Sequence, residues 1–171
     1  HSTGKYIKGY TMLTLGWSDG FSFAPLDFVM LSSAKLANRF CEMASHLSRR
    51  SHGYKRRMES FFRKPDAVVG LLDRALKAGF TADYVLTDSW FTQAPLLRQL
   101  TDRGLPVIGM IKEMKQRYLV QGQRMTLSAV FQSLSKSSTN DIKGSVVVHT
   151  SCGLPVKLVF VRNRNKRREW L

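Results

Sequence analysis

The chain has 171 residues, 43% hydrophobic with only 5 prolines, a balance that suits a folded domain with a real core and excludes a disordered chain. Its 27 Lys+Arg against 12 Asp+Glu leave a net charge of +15, which calls for a polyanionic partner, because every phosphate neutralised by Lys or Arg releases counterions. No apolar run approaches the ~20 residues that cross a bilayer and no strongly amphipathic basic helix stands out, so nucleic acid is favoured over a membrane.

Cys41 and Cys152 lie far apart, with no C-x-x-C and no histidine cluster beside them, which argues against structural zinc and against a disulfide framework. No signal peptide is visible, so the expected compartment is a reducing cytosol. The chain opens on His1 rather than Met and stops at Leu171 where a strand is expected to begin, and both ends read as cut.

Tyr10 to Trp17 is expected to be a strand, Ser18-Asp19-Gly20 a turn, and Phe21 to Leu31 a second strand. Pro25 cannot donate to a ladder, so the second strand should be an edge or carry a bulge there. Asp19 is assigned to the turn rather than to catalysis.

From Ser32 to Lys64 the periodicity loosens and Arg49, Arg50, Lys55, Arg56, Arg57, Arg63 and Lys64 gather around His52-Gly53-Tyr54, with Phe61-Phe62 near the end. Aromatics among arginines beside a glycine turn suit phosphate tracking with local stacking. Pro65 then opens a helix, with Asp66 on its dipole, Val68, Leu72, Ala75 and Leu76 as the buried stripe, and Gly79 as its stop.

Tyr84-Val85-Leu86-Thr87-Asp88 is a short apolar run delivering a carboxylate to the C-terminal end of a buried strand, where open α/β sheets place ligands and chemistry. The alternative for Asp88 is a loop aspartate capping the next helix. Thr92 is the expected N-cap of that helix, Leu96, Leu97 and Leu100 its inward face, and Gly104 its end; Pro106 to Ile111 is the next strand. Strand, helix, strand at this spacing predicts parallel crossovers, with the first hairpin joining antiparallel in a mixed sheet.

After Lys112 the character becomes β-rich. Arg117 to Val120 is a possible strand, Thr126 caps a helix carrying Leu127, Val130, Phe131 and Leu134, and Ser135 to Asn140 is a polar loop. Ser145 to Thr150 and Leu154 to Arg162 form a hairpin around Cys152-Gly153, with Val156, Leu158 and Phe160 on one face. Arg162, Arg164, Lys166, Arg167 and Arg168 are expected at another hairpin tip.

This arrangement resembles the ribonuclease-H-like catalytic core of bacterial insertion-sequence transposases, the Asp-Asp-Glu group with a β-insertion before the final acidic helix. The likeness rests on 9–20 (Gly-Tyr-Thr-Met-Leu-Thr-Leu-Gly-Trp-Ser-Asp-Gly), Gly53-Tyr54-Lys55-Arg56-Arg57, Tyr84 to Phe91 and Gly104 to Lys112. It implies an α/β fold: a partial ribonuclease-H-like mixed sheet with helices over 1–113, and a β-rich insertion subdomain over 114–171. It also implies that Asp88 is the second of three catalytic, metal-binding carboxylates, the first lying before His1 and the Glu beyond Leu171. In such enzymes two Mg²⁺ (or Mn²⁺) ions about 3.5–4 Å apart clamp the attacking and leaving oxygens. The implied partners are double-stranded DNA (transposon ends and target) and a second copy, giving a homodimer of the full-length enzyme in the bacterial cytoplasm, at the nucleoid, without a membrane role. Arg49, Arg50, Lys55, Arg56, Arg57 and the Arg162–Arg168 run are the expected DNA contacts. Glu113 is the in-chain rival for a second metal ligand, with a surface role favoured, and Glu169 is assigned to ion pairing with Arg167 and Arg168. A non-catalytic basic DNA-binding domain, a decayed transposase relic and a nuclease that hydrolyses without joining remain open beside the transposase.

Overall fold

A computed structural model describes residues 8–136 and 141–163. Its contacts divide the chain into two units, His1–Ala82 and Asp83–Leu171. Both mix helix and strand, so the chain is α/β, and no described helix is long and apolar enough to cross a membrane.

The first unit holds strands β1 (Thr11–Ser18) and β2 (Phe23–Leu31), a 3₁₀ turn at Leu36–Asn38, and helices α1 (His52–Glu59) and α2 (Lys64–Lys77). The hairpin turns on Asp19, whose Oδ1 accepts the amides of Phe21 at 2.9 Å and Ser22 at 2.6 Å, with Gly20 at φ 94°. Those two amides hold the Asp19 carboxyl below its ordinary range, as suits a turn residue. The bulge foreseen at Pro25 is present: Leu15 pairs with Asp27 but Gly16 with Pro25, leaving Leu26 without a partner.

Leu13, Leu15, Val29 and Leu31 pack against Ala67 and Leu71 of α2. The buried stripe of α2 is therefore Ala67, Leu71, Leu72 and Ala75, about one position off the expected Val68, Leu72, Ala75 and Leu76. Ala67, fully buried, lets the helix backbone approach the sheet, which a Val68-centred stripe would prevent. Pro65 lies in the first turn and Asp66 accepts two bonds from Arg63, at 2.8 and 3.1 Å.

The stretch expected to be loose contains α1. His52-Gly53-Tyr54 is not a glycine turn but its first turn, because Ser51 accepts the Tyr54 amide at 3.2 Å as an N-cap.

In the second unit β3 (Val85–Thr87), α3 (Ala94–Thr101) and β4 (Val107–Gly109) form a strand–helix–strand unit, with the strands parallel and Val85, Leu86 and Thr87 opposite Val107, Ile108 and Gly109. Leu96, Leu97 and Leu100 face inward, as the spacing predicts. Two expectations fail here. The N-cap is Gln93 rather than Thr92, and β3 is not buried, Leu86 being 75% exposed. A two-stranded sheet leaves each strand one unpaired edge and gives an outward side chain little to pack against.

Beyond β4 come β5 (Tyr118–Val120), β6 (Gln123–Met125), α4 (Leu127–Ser133), β7 (Ile142–His149) and β8 (Pro155–Val161), the strands ordered β6-β5-β7-β8 and antiparallel throughout. Thr126 caps α4 as foreseen, accepting the Ala129 amide at 3.0 Å. Tyr118, Leu127, Val130, Val148, Leu158 and Phe160 form the core, which includes the predicted Leu158–Phe160 face. Within the first unit β1 and β2 make a two-stranded antiparallel sheet, and within the second β3 and β4 make a two-stranded parallel one.

Candidate functional site

Asp88 follows directly on β3, at the C-terminal end of the parallel pair, and is exposed. The ladder runs up to it: the Val85 amide donates to Pro106 O at 2.9 Å and the Met110 amide to Thr87 O at 3.4 Å. The chain then turns sharply. Asp88 Oδ1 accepts the Trp90 amide at 2.8 Å and its carbonyl accepts the Phe91 amide at 3.1 Å. The carboxylate is thus held at a strand end by its own turn, at the position the sequence predicts.

Thr92, buried, ties this turn to β4 instead of capping α3. Its hydroxyl is within reach of two carbonyls, Ser89 O at 3.2 Å and Met110 O at 3.1 Å. Gly109 leaves the room this needs, since a Cβ there would overlap Thr87 Oγ1 and Thr92 Cγ2. An apolar cleft of about 950 Å³ runs beside the turn, lined by Ser89, Thr92, Ile111, Tyr118 and Leu158 among others, but not by Asp88. Tyr118 is buried in the core below, and that burial, with the Glu113 charge second, raises its hydroxyl.

Glu113 is taken by structure. Its Oε2 accepts both the amide and the hydroxyl of Ser128, at 2.9 and 2.8 Å, and so caps the first turn of α4. Among the described residues no three His, Cys, Asp or Glu side chains gather as a metal site. Asp88 offers one exposed carboxylate, so the described residues alone do not make a complete ligand set for Mg²⁺ or Mn²⁺, which takes one or two carboxylates together with phosphate oxygens and water.

Of the expected DNA contacts, Arg49 and Arg50 are exposed just before α1, and Lys55 and Arg57 are exposed on it. Arg56 is used differently. Its guanidinium bonds Asp27 Oδ1 at 2.9 Å, Glu59 Oε2 at 3.0 Å and Phe28 O at 3.2 Å. Arg74 completes the same constellation through Asp27 Oδ2 at 2.5 Å and Glu59 Oε1 at 2.6 Å. Two carboxylates and two guanidinia thus close a ring joining β2, α1 and α2. Burial works to raise the Asp27 carboxyl, but the bonds from Arg74, Arg56 and the Phe28 amide together hold it below its ordinary value. Arg162 is half-buried at the end of β8, its amide donating to Asp141 O at 2.8 Å. Arg164, Lys166, Arg167, Arg168 and Glu169, with the expected hairpin tip, lie outside the described residues.

The ring was missed in sequence. Its signals were an acid inside an apolar strand, where Asp is disfavoured, and the i,i+3 spacing of Arg56 and Glu59.

A parallel strand pair with an aspartate at its C-terminal end is where open α/β sheets place ligands. Residues 1–126 match the family of DDE superfamily endonucleases, and the chain belongs to that family. No curated protein and no solved structure matches it.

Proposed function

We propose that this chain is part of a DNA transposase whose full-length form cleaves phosphodiesters and joins strands, with Asp88 as one of its catalytic carboxylates. The observation that carries the reading is the place of Asp88: exposed, at the C-terminal end of β3, with its turn pinned by Trp90 and Thr92, in a chain matching the DDE superfamily endonucleases over 1–126. In this reading the other two catalytic carboxylates are not among the described residues. The division into a catalytic part, 1–113, and an insertion, 114–171, belongs to the same proposal, as do a ribonuclease-H-like sheet, a homodimer and a place at the nucleoid.

DNA engagement rests on the +15 charge and on exposed Arg49, Arg50, Lys55 and Arg57, which track phosphates rather than read bases. The same charge, with a single carboxylate at the site, supports a second reading: a basic domain that docks DNA without cutting it. One assay separates them. The full-length protein is incubated with labelled end DNA and a plasmid target. Joined product supports the transposase, cut but unjoined DNA a hydrolytic nuclease, and a retained but uncut complex the docking domain.

A further inference from the structure

We propose that the second unit takes an extended acidic peptide as an added β-strand, in the apolar cleft bordered by the open edges of β4 and β8. The cleft is lined by every residue of 106–112 and of 154–161, but among the described residues by none of β3 and none of β7. A cleft on a sheet face would be lined by alternate residues and would run on across the neighbouring strand. Consecutive residues of a single strand on each side place it at the outer edges instead. Among the described strands of this unit β4 pairs with β3 alone, and β8 ends the order β6-β5-β7-β8. Each edge therefore presents backbone N–H and C=O groups with no strand beside them, the template on which an extended peptide adds.

The walls define the chemistry of the occupant. Ile108 and Met110 on one side and Val159 and Val161 on the other are exposed apolar side chains that an added strand packs against. Among the described lining residues the charged ones are Lys112 and Lys157, and no carboxylate stands there. On a chain of net charge +15 this disfavours a second copy laid edge to edge and favours a segment carrying acidic residues. Nucleic acid is the weaker match, because exposed Ile, Met and Val side chains give bases no stacking surface and two lysines give phosphates no track. Two donors in the cleft wall, Gln116 Nε2 and the Tyr118 hydroxyl, are buried without a hydrogen-bond partner, a deficit that the carbonyls of an added backbone can relieve.

The test uses the 171-residue chain and a labelled synthetic peptide of alternating valine and threonine flanked by glutamates. Anisotropy should show saturable binding, and amide exchange should slow at 107–110 and 156–161 while 11–31 is unchanged. Methylating the backbone nitrogens of the peptide removes its ladder donors and keeps its side chains, and should weaken binding about tenfold or more. Lys157→Glu, an exposed substitution, should weaken the glutamate-flanked peptide about 2- to 5-fold and favour a lysine-flanked one by a similar factor. Equal affinity for the methylated and unmethylated peptides, binding by neither, or protection confined to 11–31 overturns the proposal. Indifference to the Lys157→Glu exchange overturns the acidic preference. Slowing of 107–110 and 156–161 by an oligonucleotide and not by the peptide overturns the proposal in favour of nucleic acid.

Discussion

Arg74 on α2 reaches Asp27 on β2, 47 residues away in sequence, with Nε 2.5 Å from Oδ2. With Arg56 and Glu59 it makes a charge-balanced knot on a chain that otherwise carries a large positive surplus. Asp27→Asn removes one charge and leaves two guanidinia competing for Glu59, and should cost about 1–2 kcal/mol. The pH dependence has a definite sign. The folded carboxyl titrates below its unfolded value of about 3.9, so its contribution is complete above that value and is lost as pH falls through the folded one. Urea midpoints of parent and variant should differ at pH 7 and converge in acid. A gap that persists with Asp27 protonated would contradict the ring's role.

The same knot separates two neighbouring basic residues. Lys55→Gln should weaken duplex binding about equally across sequences and lower the salt slope by about one unit, with stability unchanged. Arg56→Gln should do the reverse, lowering the unfolding midpoint and hardly moving the slope. Fluorescence anisotropy over a salt series, beside urea melts, reads both.

Two glycines predict opposite signs. Gly109→Ala drives a methyl into Thr87 and Thr92, and should destabilise by about 1–3 kcal/mol and loosen the Asp88 turn. Gly70→Ala lies within α2, where the added Cβ meets only Arg74 Nη1 at 3.8 Å, and should stabilise by about 0.5–1 kcal/mol. Thermal melts with amide exchange at 85–92 check the pair.

Met12 and Met30 are cross-strand partners on β1–β2 and both are exposed, as is Phe28. This uncovered apolar sheet face should make the isolated chain self-associate. Sedimentation velocity should show a concentration-dependent rise for the parent and a smaller one for Phe28→Thr/Met30→Thr. A strictly monomeric parent at high concentration would refute this.

Local chemistry carried much of this structure in legible form. The Asp19 turn, the bulge at Pro25, the Thr126 cap and the Leu96, Leu97 and Leu100 face are short-range effects, and each is found where its residues place it. What escaped depends on partners distant in sequence. The Asp27–Arg74 bond spans β2 and α2, and Thr92 gives up capping for a carbonyl 18 residues away. β6 escaped for a different reason: Gln123-Arg124-Met125 has no apolar alternation, and only Gln121-Gly122, both at positive φ, marks its hairpin. The position of Asp88 was visible because a strand-then-turn pattern is local.

The most direct test of the account is cleavage of end DNA by the full-length enzyme carrying Asp88→Asn, with duplex binding measured on the same preparation and Glu113→Gln as the control. The substitution keeps the turn's acceptor for the Trp90 amide but removes the charge. The account predicts cleavage abolished with duplex binding within about twofold of the parent, while Glu113→Gln, whose side chain serves the α4 cap, still cuts. Cleavage by Asp88→Asn at the parental rate would contradict the assignment of Asp88.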